Sequence, residues 1–213
     1  HQDSVLPVLM DPYGGPHAQR VLRSKGLFLT SQWFANQGFA VVVADGRGTP
    51  GRGPTWERGV LGDLASPVLD DQVEALHEIA RLDGRLDLER VAIRGWSFGG
   101  YLAALAILRR PDVFHVGIAG APVTNWALYD THYTERYLGD PGEALDAYHA
   151  SNLYVDSTVP HRQLLLIHGV ADDNVLFAHT LSLSQLLLKA KYPHYVIPLS
   201  EVTHVASHQT VTE

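Results

Sequence analysis

The pentapeptide Gly95-Trp96-Ser97-Phe98-Gly99 places a serine between glycines two positions to either side, and Gly100 follows directly. A sharp strand-to-helix turn requires that spacing, because neighbouring backbone passes so close to the serine that a β-carbon there would collide. Ser97 would then stand clear of the sheet as a nucleophile. The Phe98 amide, at the start of the following helix, would face the oxyanion formed when that nucleophile attacks a carbonyl. A serine that merely caps a helix is the plainer reading; the preceding strand and the glycines argue against it.

A serine hydroxyl attacks poorly until a base takes its proton, so the motif predicts a histidine oriented by a carboxylate. In this architecture both follow the serine on loops after strands, in the order Ser, Asp or Glu, His. That order removes every histidine before Ser97. His168 falls inside an expected strand, as a core histidine bonded to backbone; His179 falls within a helix and His194 opens a strand. His204 sits in the loop after the last expected strand, with His208 one helical turn on. A base belongs on the loop end, which selects His204. For the carboxylate, Gly169-Val170-Ala171-Asp172-Asp173-Asn174 offers two adjacent aspartates, and alternation cannot choose between them in a loop. A metal hydrolase is the weaker reading: His204 and His208 are spaced i,i+4, but Val205 stands where an HExxH site has glutamate. No metal and no cofactor are expected.

The elements that must position these residues alternate between short apolar runs and helical patterns, the rhythm of an α/β fold with a mostly parallel sheet. Strands are expected at Leu6–Met10, Phe39–Ala44, Arg90–Arg94, His115–Ala119, Leu164–His168 and Tyr195–Leu199. Helices are expected at Thr30–Gln37, Pro67–Leu82, Phe98–Arg109 and Leu176–Lys191. The Gly- and Pro-rich segment Asp45–Pro54 reads as a loop, and Trp126–Asp146, with tyrosines at 129, 133 and 137, as a largely helical insertion.

Composition bounds the rest. The 213 residues are 46% hydrophobic and carry 16 basic against 23 acidic side chains, a formal charge of −7, which fits one globular domain. Without a basic run or a long apolar stretch, neither nucleic acid nor membrane is an expected partner. Absence of cysteine excludes disulfides, thiolate metal sites and cysteine nucleophiles, and leaves the compartment open. The chain starts without methionine and ends in what reads as the first turn of a helix at Thr210–Glu213, so it is read as a piece of a longer protein.

Gly95-Trp96-Ser97-Phe98-Gly99-Gly100-Tyr101 and His168-Gly169-Val170-Ala171-Asp172-Asp173-Asn174-Val175 together resemble the peptidase domain of the prolyl oligopeptidase family. Asp11-Pro12-Tyr13-Gly14-Gly15-Pro16, Asp45-Gly46-Arg47-Gly48 and Tyr133-Thr134-Glu135-Arg136-Tyr137 make it similar to the dipeptidyl peptidase IV branch. The resemblance implies an α/β-hydrolase fold, with Ser97 as nucleophile, Asp172 as the acid of the triad and His204 as base. It implies Tyr13 as second oxyanion donor beside the Phe98 amide. It also implies a slot for the residue before the cut bond, commonly proline, lined by Phe98, Val123, Trp126, Tyr129, Tyr133 and Val175, with Asn174 holding a substrate carbonyl. Short peptides would be the substrates. An upstream β-propeller of the same protein would supply the glutamates that grip a free amine, since Asp130 and Glu135 are expected to be tied up locally, for instance with Arg136. The family usually follows the base with glycine, where this chain has Val205. An α/β-hydrolase esterase such as a carboxylesterase, an acylaminoacyl peptidase and a catalytically silent binding module are the alternatives.

Overall fold

A computed structural model describes residues 4–205. His208 and the expected helical turn at Thr210–Glu213 lie outside the described residues. Within them, strands β1 (Leu6–Met10), β2 (Ala40–Val42), β3 (Leu86–Trp96), β4 (Val116–Gly120), β5 (Gln163–Gly169) and β6 (Tyr195–Leu199) pair in parallel in the order β2-β1-β3-β4-β5-β6. Parallel neighbours cannot be joined by tight turns, so helices make the connections. These are α1 (Lys25–Asn36), α2 (Pro54–Glu57), α3 (Ser66–Leu82), α4 (Phe98–Arg109), α5 (Thr131–Leu138), α6 (Leu145–Ser151) and α7 (Ala178–Lys189). From β1 the chain moves outward to β2, then returns to lay β3 on the other side of β1. That reversal opens a crevice beyond the carboxyl ends of β1 and β3, the place where such sheets bind ligands.

The core explains which elements hold firm. From Phe98 to Leu108 every residue of α4 is buried, as a helix that is apolar all round requires. It presses directly on β4: a β-carbon at Gly100 would lie 2.1 Å from the Gly120 carbonyl oxygen. Helix α3 instead buries one stripe, Val68, Leu69, Val73 and Leu76, with Gln72 beside them.

Several boundaries differ from the sequence expectation. Strand β3 runs from Leu86 because Leu86 and Asp87 pair with Leu6 and Pro7 of β1 ahead of a register shift, whereas β2, paired on one side only, shrinks to three residues. Helix α1 starts five residues before Thr30. Pro54, expected to end a loop, opens α2 at a position where its missing N–H costs nothing. The stretch 126–146 holds a 3-10 turn (Trp126–Leu128), α5 and the start of α6. Among the described residues no helix is long and apolar enough to cross a membrane.

Candidate active site

Ser97 joins β3 to α4 with φ 59° and ψ −119°, angles that cost a side chain on the order of 1–3 kcal/mol. The surrounding glycines make that turn possible. A β-carbon at Gly95 would lie 2.3 Å from the Gly99 backbone, and one at Gly99 would lie 2.8 Å from the Pro12 carbonyl oxygen. The Ser97 amide donates to the Gly120 carbonyl at 2.8 Å, which anchors the strained turn to β4.

Two loops bring the acid and the base to this serine. The loop after β5 carries Asp172, 4% exposed, whose Oδ1 accepts the amides of Asn174 at 3.0 Å and Val175 at 2.9 Å. Its Oδ2 lies 2.8 Å from His204 Nδ1, and His204 Nε2 lies 3.0 Å from Ser97 Oγ. A carboxylate only accepts, so Nδ1 carries the ring proton and Nε2 is left to take the serine's. His204 is placed by backbone as much as by side chain: Trp96 donates its indole N–H to the His204 carbonyl at 2.7 Å. Gly169 lets the loops after β5 and β6 close on each other, since a β-carbon there would meet the Val202 carbonyl oxygen at 2.2 Å. Of the adjacent aspartates, Asp172 is the one brought to the histidine.

His168 is buried behind this array. Its Nε2 donates to the Val175 carbonyl at 2.7 Å and lies 3.2 Å from Asp172 Oδ2, while Nδ1 is 2.7 Å from Thr180 Oγ1. Burial pushes its pKa down. As a core histidine bonded to backbone it matches the sequence reading, and it also braces the turn that carries Asp172.

Tyr13 follows β1 on the opposite lip of the crevice. Burial raises its pKa, countered in part by its hydrogen bond with the Ser97 side chain, so the phenol stays a proton donor near the nucleophile. The Phe98 amide, first in α4, has no acceptor within its own helix. Asp45 ties the Tyr13 loop down by accepting the amides of Arg20 and Val21, each at 2.9 Å.

Between these groups lies a cleft of about 280 Å³ lined by Tyr13, Ser97, Phe98, Val123, Trp126, Tyr129, Tyr133, Asn174 and His204, together with His17. Trp126 and Tyr133 are parallel within 9°, and Tyr129 stands edge-on to both. Tyr129 donates its hydroxyl to Asn174 Oδ1 at 2.7 Å, which turns the amide N–H groups of Asn174 outward as donors. Burial first, and then Asp130, push the Tyr129 pKa up to about 12.

Two expectations need correction. Val175 does not line the cleft; it is fully buried, and its backbone serves Asp172 and His168 instead. Asp130 is tied up locally, but as the cap of α5, accepting the Tyr133 amide at 2.8 Å; Arg136 lies over the Tyr137 ring. Sequence reasoning missed His17. It packs edge-on against Tyr133 at 5.3 Å with φ 57°, and only its place in the Tyr13 loop hinted at it.

The prolyl oligopeptidase family model matches residues 26–212. The chain belongs to the prolyl oligopeptidase family. It is 42% identical over 194 residues to human dipeptidyl peptidase 8, covering 88% of this chain and 22% of that protein. It is 34% identical to human prolyl endopeptidase FAP, covering 93% of this chain and 26% of that one. Among solved structures, Porphyromonas gingivalis dipeptidyl peptidase 4 superposes with a TM-score of 0.89 at 34% identity, over 96% of this chain and 29% of that one. A dipeptidyl aminopeptidase IV-type protein from Bacteroides ovatus gives 0.91 at 32% identity, over 100% and 30%. These likenesses place the chain on the dipeptidyl peptidase IV-like branch of the family. The chain spans about a quarter of the length of the relatives it matches.

Proposed function

We propose that this chain is the catalytic domain of a serine peptidase that cuts short peptides after proline or a small residue, two residues from a free amino end. One observation carries the reading: Asp172, His204 and Ser97 form a continuous hydrogen-bonded line at 2.8 and 3.0 Å, ending at a strained serine beside the Tyr13 hydroxyl. In the proposed reaction His204 Nε2 takes the hydroxyl proton as Ser97 Oγ attacks the substrate carbonyl. The Phe98 amide and the Tyr13 phenol receive the charge that develops on the carbonyl oxygen. His204 then passes its proton to the leaving amine, and water attacks the acyl-enzyme by the same route reversed. Asp172 holds the ring in its working tautomer throughout.

The aromatic wall of Trp126, Tyr129 and Tyr133 suits a pyrrolidine ring, which offers apolar faces and no N–H to satisfy. The Asn174 amide would hold the preceding carbonyl. With Asp130 used as a helix cap, the anchor for a free amine would come from an upstream domain of the longer protein, for which a β-propeller is the expectation. The test is hydrolysis of Gly-Pro arylamide by the full-length protein, with fluorophosphonate labelling of Ser97. Activity and labelling should both vanish in Ser97→Ala. Labelling without cleavage of any peptide, together with ester hydrolysis, would redirect the reading to an esterase; no labelling would mean a silent binding module.

A further inference from the structure

A second cleft, of about 270 Å³, opens beside Tyr13, with Asp11, Arg20, Arg94, Gly95 and Trp96 in its walls. Tyr13, which hydrogen-bonds the Ser97 side chain, borders both clefts. On the peptidase reading the acyl half of the substrate lies against Val123, Trp126, Tyr129 and Tyr133, none of which borders the second cleft. Trp96, which does border it, is bonded at 2.7 Å to the carbonyl of His204, the residue that must hand a proton to the leaving nitrogen. The leaving half therefore has an exit on this side.

The exit is basic. Asp11 is 3% exposed and shares its carboxylate between Arg20 Nη2 at 2.6 Å and Arg94 Nε at 3.4 Å. Among the residues that line the cleft, two guanidinium groups face one carboxylate. Asp45 lies outside the lining, where its oxygens accept the backbone amides of Arg20 and Val21. Both heads are held: Arg20 also donates Nε to the Asp11 carbonyl at 3.3 Å, and Arg94 lies over the Phe34 ring at 5.0 Å. A guanidinium carries five N–H donors, and Arg94, whose nearest approach to Asp11 is Nε at 3.4 Å, is 30% exposed and can offer donors to a planar acceptor.

We propose that this cleft takes the leaving half of the peptide, and that Arg94, backed by Arg20, selects a side-chain carboxylate on one of the first two residues after the cut bond. The inference rests on the peptidase reading and adds a substrate class to it. The experiment compares kcat/KM of the full-length protein on matched peptides that carry glutamate or lysine at those two positions, with Gly-Pro arylamide alongside. A partly exposed charge pair gives an expected glutamate-to-lysine ratio of roughly 5 or more, shrinking as salt rises. Arg94→Met should bring the ratio near 1, and Arg94→Glu should invert it. The ratio is taken within one enzyme, so a reduced folded fraction cancels. If arylamide is cut but the wild-type ratio is near 1, or if Arg136→Met and not Arg94→Met abolishes the preference, the inference is overturned while the peptidase reading stands. If arylamide is not cut at all, the peptidase reading itself goes.

Discussion

Replacing Tyr13 by phenylalanine removes one oxygen and keeps the ring, whose packing against Phe98 at a centroid distance of 6.0 Å is retained. On the proposed mechanism the Phe98 amide would then stabilise the oxyanion alone. Loss of one such donor typically costs about 10²–10³ in rate, or roughly 2.7–4 kcal/mol of transition-state stabilisation. The bond to the substrate oxygen strengthens only as charge develops, so the loss should fall on kcat while KM changes little. Burial raises the Tyr13 pKa above its ordinary value of 10, so the phenol is protonated throughout the neutral range. The pH profile of Tyr13→Phe should therefore keep the wild-type shape in that range, only lowered. The assay is steady-state hydrolysis of Gly-Pro arylamide by the full-length protein, with thermal unfolding as the check on folding. A fall of less than about threefold in a well-folded variant would show that the tyrosine is packing and not an oxyanion donor.

Gly169→Ala should push the Val202 carbonyl away and carry His204 with it, lowering kcat by about 10²-fold if the ring moves by about 1 Å; wild-type kinetics in the variant would refute the close approach. His168→Leu leaves the Val175 carbonyl and the Thr180 hydroxyl without their buried partner, an expected loss of about 2–4 kcal/mol in urea unfolding together with weaker turnover. A loss near zero would mean that the turn stands without its brace. Burial lowers the His179 pKa to about 4 from an unfolded value of 6.5. The unfolded chain thus binds the extra proton first, so stability should rise with pH between about 4 and 6.5, by up to about 3 kcal/mol. A denaturation midpoint that is flat across that window in wild type would contradict it. Gly100→Ala should prevent native folding, because backbone and not a flexible side chain occupies the space; soluble variant with an unchanged midpoint would refute this.

Much of this protein is legible along the chain because its strongest constraints are local. Glycines at two positions either side of Ser97 announce the turn, and the apolar run through α4 announces a helix buried on all sides. Histidine order and loop position select His204 by a rule of connectivity that needs no coordinates. The choice between Asp172 and Asp173 was of another kind. Neighbouring side chains on a loop diverge, and which one turns inward depends on the amides of Asn174 and Val175 closing around one carboxylate.

Other features depend on tertiary structure. Residue spacing left the aromatic wall as packing on a helical insertion, and only the family resemblance named it as a slot; it borders the cleft with Ser97, and Tyr129 bonds across to Asn174, 45 residues away. His17 entered the site, and Val175 left it for the core, through contacts between segments far apart in sequence. Asp130 became a helix cap because a free backbone amide of α5 lay closer than any guanidinium. The pairing of Arg20 and Arg94 around one buried aspartate joins the loop after β1 to the middle of the sheet. Sequence records which groups can donate, accept or attack; which of them meet is set by the order in which strands pair and by how closely their loops can approach.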